Sequence, residues 1–428
     1  MRVRASPGGW LGRARLLAAI ALIAVIAAGA VGQFVRDRSA AWGLLLYLPL
    51  FPLGLAALGL DLLARGRSVP GGRFLLGGVG LVAVVGGSIP LLGFGPGGGD
   101  PGDRDEVSVL HWNVIWGGGR VMATDRWEKI RRTILDHPTD VVILSEGPPD
   151  GPLDGLVGAM GPGASRVQVE NGPDAVRGYW FKLVVASRWP VRALGRIPVV
   201  NGAAMAAEVT VRGRPIRILV VDGLSHPRLH RAPFLRSVAE ACEAAKKAGE
   251  PFDLVAGDFN CVGRSLGFDG LDRAGYDLAA RRSRGWRATF PSFAPIYDID
   301  HVWVRNYADR LRCAFFTDLA SDHRGQVVRF RLPSSPRLAV QFQHPVVAHL
   351  LGLGDELPAG RFEVGGQRPL RDRFEHAQGV DRALLLADQD LGQPEPDPGR
   401  GLHGPLEVIL HDGHRPAPVL RRGQELDQ

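Results

Sequence analysis

The chain has 428 residues, with 51 lysines and arginines, 44 aspartates and glutamates, 45% hydrophobic residues and three cysteines. That balance excludes a chain disordered throughout and a scaffold built from disulfides, and at one domain per roughly 100–200 residues it leaves room for two or three units. The net charge of +7 is unevenly placed, with +6 in residues 1–100, +5 in 101–332 and −4 in 333–428, so it is weak grounds for a nucleic-acid partner.

Three apolar runs fill the N-terminal region, at 16–35, 41–63 and 74–94. Each is about 20 residues long, the length at which a helix crosses a hydrocarbon core about 30 Å thick. They predict a membrane anchor over residues 1–96 with three transmembrane helices. A cleaved secretory signal is the competing reading of the first run, with Arg2, Arg4, Arg13 and Arg15 as its basic flank. Two further runs follow at once, which such a signal does not predict. Arg65, Arg67 and Arg73 make the second connection basic, whereas Asp100, Asp103, Asp105 and Glu106 follow the third run. The positive-inside rule then puts the N-terminus in the cytoplasm and everything after residue 96 outside. The margin is modest, because Arg36 and Arg38 flank Asp37 in the first connection, and the reversed topology stays open. Pro49 and Pro52 lie inside the second run, where a kink is tolerated if neighbouring helices cover the freed carbonyls. Polar residues inside the runs are few, which argues against a channel or transporter. Residues 97–104, within and after the stretch GPGGGDPG, read as a flexible linker.

Residues 107–114 (VSVLHWNV) read as a strand that enters a turn at Gly117–Gly119. Thr124 is placed to cap a helix whose apolar positions Trp127, Ile130, Ile134 and Leu135 follow the 3–4 spacing, stopping near His137-Pro138. Residues 140–146 (DVVILSE) form a buried strand ending in a carboxylate. The pattern returns in a strand at 217–221 and a helix at 232–248 with Phe234, Leu235, Val238, Cys242 and Ala245 on one face. A strand at 253–260 (DLVAGDFN) follows it. Two such units, both ending in acidic residues, suggest two related halves meeting at one site. Further strands are expected at 181–187, 204–211, 299–304 and 327–330, giving an α+β class with packed sheets.

Strand ends thus deliver Asn113, Glu146, Asp258 with Asn260, Asp300, and Asp322 with His323. Any one of these is ordinarily a turn former. Together they offer hard oxygen ligands suited to Mg²⁺ or Mn²⁺, amides that orient a phosphate, and an Asp plus His pair. A phosphodiester resists hydrolysis because its anion repels nucleophiles. A divalent cation offsets that charge, a carboxylate aligns water, and a cationic histidine steadies the transition state.

The segments HWNV (111–114), VVILSE (141–146), VASRWPV (185–191), GDFN (257–260), IDHVWV (299–304) and SDH (321–323) resemble those of the endonuclease/exonuclease/phosphatase superfamily. That superfamily includes DNase I-like nucleases, inositol polyphosphate 5-phosphatases and neutral sphingomyelinases. The resemblance covers residues 105–332 and implies a DNase I-like four-layer α/β sandwich. It implies Glu146 as the principal metal ligand with Asn113 beside it and Asp322 in the metal and water network. It further implies that Asp258 aligns or deprotonates the attacking water and that Asn260 holds that water or a phosphate oxygen. His323 would then face the scissile phosphate, with Asp300 holding its ring.

Two departures stand out. Nucleases of this family commonly have a second histidine after the strand at 217–221, where this chain continues into Asp222-Gly223 and offers only His226 a few residues later. Ile115 occupies a position that is polar in some members. Arg281, Arg282, Arg284 and Arg287, with Trp286 among them, are either a solvated loop or a rim for anionic substrate. In the second reading Arg284 and Arg287 contact substrate; His226 either serves the site in the place of that second histidine, from a bent loop, or is a surface loop residue. The Ser187-Arg188 pair is expected to end a strand near the site.

Residues 333–428 lack a clear period and are expected to be a largely disordered tail. The sequence therefore reads as a membrane-anchored, Mg²⁺- or Mn²⁺-dependent phosphoesterase with an extracytoplasmic catalytic domain. A catalytically inactive, membrane-held binding module is the alternative. The substrate class is a phosphate ester, either a phospholipid headgroup or nucleic acid, and no obligate protein partner is evident.

Overall fold

The computed structural model describes residues 7–64, 75–97, 105–114, 124–171, 181–226, 229–306 and 309–331. Residues 98–104 of the expected linker, Ile115, the turn at Gly117–Gly119 and the tail from 333 onward lie outside the described residues.

The N-terminal helices are α1 (Pro7–Val35), α2 (Ala40–Leu46), α3 (Leu50–Ala64) and α4 (Leu75–Ser88), followed by the short strand β1 (Leu92–Phe94). Among the described residues Gly12–Val35 is the one unbroken helix long and apolar enough to cross a membrane, with a mean hydropathy of 2.4. The second expected span is divided, because Ala40–Leu46 and Leu50–Leu63 meet at 53°. Pro49 explains the break, since it lacks an amide to donate and pushes Leu48 out of helical geometry. Pro52 falls in the first turn of α3, where no intrahelical acceptor is lost. The third apolar helix, Leu75–Leu91, is shorter than a span. It packs closely on α3, and a Cβ on Gly54 would sit 2.6 Å from the Gly80 carbonyl oxygen.

The first half of the domain that follows runs β2 (Glu106–Asn113), α5 (Thr124–Asp136), β3 (Val141–Ser145), α6 (Asp150–Met160), β4 (Ser165–Asn171) and β5 (Phe181–Ser187). The second half runs β6 (Val191–Arg196), β7 (Gly202–Val211), β8 (Arg214–Gly223), α7 (Ala232–Lys247), β9 (Leu254–Asp258), α8 (Asp269–Ala274) and β10 (Tyr276–Leu278). Four strands close the chain: β11 (Arg284–Trp286), β12 (Asp300–Arg305), β13 (Asp309–Phe316) and β14 (Gly325–Arg331).

Two six-stranded sheets result, ordered β13-β14-β2-β3-β5-β4 and β10-β12-β9-β8-β7-β6. Each has a parallel central pair, β2 with β3 and β8 with β9, connected through a helix and flanked by antiparallel strands. The two halves expected from the sequence are these two β-α-β units. Alternating strand residues supply both faces of each sheet. Val109, Ile143 and Val185 meet Met205, Val220 and Ala256 between the sheets. Leu110, Trp112 and Leu144 pack outward on Trp127, Ile130 and Leu153 of α5 and α6, while Leu219, Val255 and Trp303 pack outward beside Phe234, Val238 and Leu271. The order helix, sheet, sheet, helix is the four-layer sandwich that the resemblance implied. Cys242, Cys261 and Cys313 are free and buried within it.

One expectation is reversed by the topology. β5 runs antiparallel to β3, so Ser187 pairs with Val141 at the start of β3, the end opposite Glu146. Ser187 Oγ donates to the Asp140 carbonyl at 2.6 Å. The Ser187-Arg188 pair is therefore remote from the strand ends that gather the acidic residues.

The helices at the N-terminus are docked on the domain at three places. Arg36 makes a two-pronged ion pair with Asp269 at 2.8 and 3.0 Å and also donates to the Ser265 carbonyl at 2.8 Å. Asp37, buried beside it, accepts from the Leu266 amide at 2.7 Å and from the Ser265 hydroxyl. Tyr47, just before the helix break, donates its hydroxyl to the Asn260 carbonyl at 2.9 Å. β1 pairs antiparallel with β11, and Arg287 donates from its backbone to Leu91 and from its side chain to Pro90.

Asp37→Ala leaves the Leu266 amide and the Ser265 hydroxyl without an acceptor, a cost of about 1–3 kcal/mol for buried groups. The full-length chain in detergent is expected to melt several degrees lower; an unchanged melting temperature would show that this contact does not hold the docked arrangement.

Candidate active site

The site begins as a register of strands. Asp222 ends β8 opposite Asp258 of the parallel neighbour β9, and Asp258 stands opposite Asp300, the first residue of β12. Three aspartates therefore lie in one row across adjacent strands about 4.8 Å apart, with side chains on the same face. Asp222, Asp258 and Asp300 are all buried. Like charges directly opposite one another destabilise a sheet, so this row is expected to have a use. The parallel pair β8 and β9 is close here, since a Cβ on Gly257 would stand 1.8 Å from the Val221 carbonyl oxygen. The glycine of GDFN is thus a packing requirement.

The facing sheet contributes from the ends of β2 and β3. Asn113 Nδ2 donates to Glu146 Oε1 at 3.2 Å and to Asp258 Oδ2 at 2.9 Å, tying the two halves together. Ser145 Oγ accepts from the Asp258 amide at 3.3 Å. Glu146 and Asn260 both take left-handed backbone angles, φ 52° and 48°, a conformation uncommon outside glycine and found where side chains are aimed for a purpose. Asn260 donates its backbone amide to Asp258 Oδ1 at 2.8 Å and its side-chain amide to the Gly223 carbonyl at 2.8 Å.

His323 is fixed on all sides. The Trp112 indole donates to its carbonyl at 2.9 Å, and its amide donates to Ser321 Oγ at 3.0 Å, which in turn donates to the Asn113 carbonyl at 2.7 Å. Its Nδ1 donates to Asp300 Oδ2 at 2.8 Å, while Nε2 lies 3.9 Å from Asp258 Oδ2 and 3.6 Å from Asp322 Oδ1. The Phe290 ring covers one face, its centroid 5.0 Å away.

The electrostatics follow from this crowding. Burial first, and Asp300 beside it, push the Asp258 carboxyl up to about 7. Burial, then Asp258, Glu146 and Asp300, push Asp222 well above the usual carboxylate range. Burial also raises Asp322. Burial opposes a charge on His323, but Asp300, Asp258 and Asp322 outweigh it and raise the imidazole to about 10. Burial works against Asp300 in the same way, and His323 nonetheless holds it low. Asp300 and His323 are thus a charged dyad. The nearby His111 is neutral, since burial lowers it to about 4.

The oxygens of Asp258 and Asp300 and a ring nitrogen of His323 lie within 4.8 Å of one another, compact enough for one cation. A protonated imidazole offers no lone pair, however, so this trio is better read as a hydrogen-bonded unit. The remaining carboxylates do fit a cation. Asp222 Oδ2 and Asp322 Oδ1 are buried without a hydrogen-bond donor. Asp258, Asp300 and Asp322 surround the imidazolium, with Asp222 beside Asp258 in register and Glu146 tied to Asn113. Hard oxygens in excess negative charge are the donor set that Mg²⁺ or Mn²⁺ takes.

The structure thus brings together Asn113, Glu146, Asp258, Asn260, Asp300, Asp322 and His323. His226 lies on the loop after β8, where Arg231 bridges its carbonyl and that of Asn260, both at 2.8 Å. Arg284 keeps an exposed side chain on β11, whereas Arg287 is partly buried. Arg284 pairs with Phe94, and Arg287 is held on Pro90 and Leu91, because β11 is recruited into a ribbon with β1. Asp222 was not singled out from the sequence; it ends an apolar strand like any turn former, and its partner in register is invisible without the sheet.

Two mixed sheets with this constellation at the ends of their parallel pairs define a DNase I-like fold. The chain belongs to the Endonuclease/Exonuclease/phosphatase family, whose model matches residues 110–323, a family of hydrolases acting on phosphate esters. No curated protein matches the chain. Similar solved structures include the human Nocturnin catalytic domain with bound sulfate, 16% identical at a TM-score of 0.42, over 54% of this chain and 94% of that one. D. rerio TDP2 complexed with a single-strand DNA product is 17% identical at 0.40, over 54% and 100%. A family protein from Bacteroides thetaiotaomicron is 15% identical at 0.41, over 53% and 98%.

The shifts set a pH dependence. Asp258 keeps its proton to about pH 7 in the folded chain and loses it near pH 4 when unfolded. Without a cation, stability is therefore lost as pH rises from about 4 to about 7. The raised His323 stabilises fully below its unfolded value near 6.5, and that contribution is lost as pH rises through about 10. Mg²⁺ is accordingly expected to raise the melting temperature of the full-length chain more at pH 8 than at pH 5. Equal shifts at both pH values would contradict the acidic cluster as the cation site.

Proposed function

We propose that the chain is a membrane-anchored phosphoesterase, dependent on a divalent cation, that hydrolyses phosphodiester or phosphomonoester bonds outside the cytoplasm. The observation that carries this reading is the meeting of the aspartate row with Asn113, Glu146 and the Asp300–His323 dyad. Glu146, with Asn113 and Asp322, would hold the cation, which supplies positive charge against that of the phosphate. Asp258 is oriented by the Asn113 side chain and the Asn260 amide. It aligns a water molecule and takes its proton as the water oxygen bonds to phosphorus. Asp300 keeps His323 protonated and aimed, so that Nε2 can steady the phosphate oxygens or give its proton to the departing oxygen as the P–O bond breaks. Asn260 would hold that water or a phosphate oxygen.

Membrane anchoring is supported by surface chemistry. Large apolar side chains with high exposure crowd the helices, among them Trp10 at 73%, Phe34 at 85% and Leu63 at 79%. A contiguous surface of that kind is what a hydrocarbon solvent covers. α3 and α4 pack on one another, and both are shorter than the single span over Gly12–Val35. The 36–39 connection and β1 both dock on the catalytic domain, and an N-terminus on the opposite side follows if α1 spans.

The test is hydrolysis of bis-p-nitrophenyl phosphate by the full-length chain with Mg²⁺ or Mn²⁺. Asp258→Asn and His323→Ala are each expected to lower kcat by about 10²–10⁴-fold, the usual worth of a positioned acid or base, with melting temperatures retained. Wild-type rates in either variant would overturn its assigned role.

A further inference from the structure

One hairpin links the histidine of the site to the membrane helices. Phe290 and Tyr297 pair across it, leaving residues 291–296 as its tip. On one side the Ser292 amide donates to the Asp322 carbonyl at 2.6 Å and its hydroxyl to the Ser321 carbonyl at 2.7 Å, so the tip holds the two residues before His323. On the other side the Trp286 indole donates to the Pro295 carbonyl at 2.7 Å, and its ring lies 5.2 Å from that of Phe51 in α3. Ile296 and Tyr297 share with Leu48, Phe51 and Leu91 the walls of a small cleft. The Tyr297 hydroxyl donates to the Tyr47 carbonyl at 3.1 Å. The loop bearing His323 is thus one hairpin away from the ends of α2, α3 and α4.

The same rim carries apolar surface. Phe293, at the hairpin tip, is 77% exposed, and Leu319, on the loop leading to Asp322 and His323, is 68% exposed. Beyond Phe94, Val200 is the other exposed large apolar side chain among the described residues. Three cations at this edge are held inward, Arg126 by the Ala320 carbonyl, Arg287 by that of Pro90, and Arg324 by those of Trp286 and Ala288 at 3.0 and 2.8 Å, while Arg284 of β11 keeps an exposed side chain. A groove for a polyanion tracks the backbone with available cations and stacks bases on aromatic faces. This edge instead offers the exposed side chains of Phe293 and Leu319 beside the loop that bears His323.

Resting on the phosphoesterase reading above, we propose that the substrate is a membrane lipid with a phosphoester headgroup, taken from the bilayer that holds the helices. Phe293 and Leu319 contact its apolar part or the surrounding interface, while the headgroup phosphate reaches Asp258 and His323. Water adds to phosphorus, the P–O bond to the leaving alcohol breaks, and that alcohol takes the proton from His323 while the proton of water passes to Asp258.

The experiment uses the full-length chain reconstituted with vesicles of phosphatidylethanolamine, phosphatidylglycerol, phosphatidylinositol and cardiolipin. Lipid hydrolysis is compared with hydrolysis of bis-p-nitrophenyl phosphate and of a single-stranded oligonucleotide. The double variant Phe293→Ser, Leu319→Ser is expected to lose lipid turnover by about tenfold or more, the worth of a large apolar contact. Its bis-p-nitrophenyl phosphate rate and melting temperature are expected to stay unchanged. Three results would overturn the lipid assignment alone: bis-p-nitrophenyl phosphate turnover with intact lipids, lipid rates indifferent to the double variant, or oligonucleotide cleaved in preference to lipid. A metal-loaded wild type that hydrolyses none of the three would overturn the phosphoesterase reading as well.

Discussion

Three buried aspartates held in register across adjacent strands are the constraint on which the rest of this structure depends. Hydrogen bonding of β8, β9 and β12 fixes Asp222, Asp258 and Asp300 side by side, so no rotamer change fully separates their charges. Each neighbouring group can be understood as a response. Asn113 donates to the middle carboxylate, and His323 becomes a cation against the outer one. The residual negative charge favours a divalent ion. The two halves of the fold are joined at the same point, because Asn113 and Ser145 belong to one sheet and Asp258 to the other.

The docked helices extend that arrangement rather than merely tethering it. Tyr47 and Arg231 hold the Asn260 carbonyl from two directions at 2.9 and 2.8 Å. Asn260 in turn holds Asp258 through its backbone amide. A residue at the break between two apolar helices thereby reaches the reacting centre through two hydrogen bonds. The arginine and aspartate of the 36–37 turn and the β1–β11 ribbon fix the same orientation at separate points, which leaves little freedom for the domain to swing on a linker.

Much of this was legible in the sequence. Buried strands ending in Glu146 and in Asp258, each after an amphipathic helix, announced two β-α-β units and a shared site, and the GDFN, IDH and SDH segments named most of its residues. Asp222 was not legible, because its importance comes from a register partner 36 positions away in chain order. The engagement of Arg287 with Pro90 and Leu91 was hidden, because a basic run carries no mark of the strand it will pair with. β6 was also hidden: its residues are half-exposed or exposed along the whole strand, so no apolar alternation betrays it. In the second apolar run Pro49 marked a kink, and the structure makes it a break of 53° between two helices. Ser187 was misplaced for a topological reason, since the direction of β5 relative to β3 is not encoded locally.

The account stands or falls on the acidic cluster being a cation site that exchanges protons for metal. Calorimetric titration of Mn²⁺ into the full-length chain at pH 6.5, in two buffers of different ionisation heat, measures both quantities at once. The account predicts one saturable site, release of protons on binding as Asp258 gives up the one it holds to about pH 7, and loss of the site in Glu146→Gln. Absence of binding, or binding without proton release that Glu146→Gln leaves intact, would contradict it.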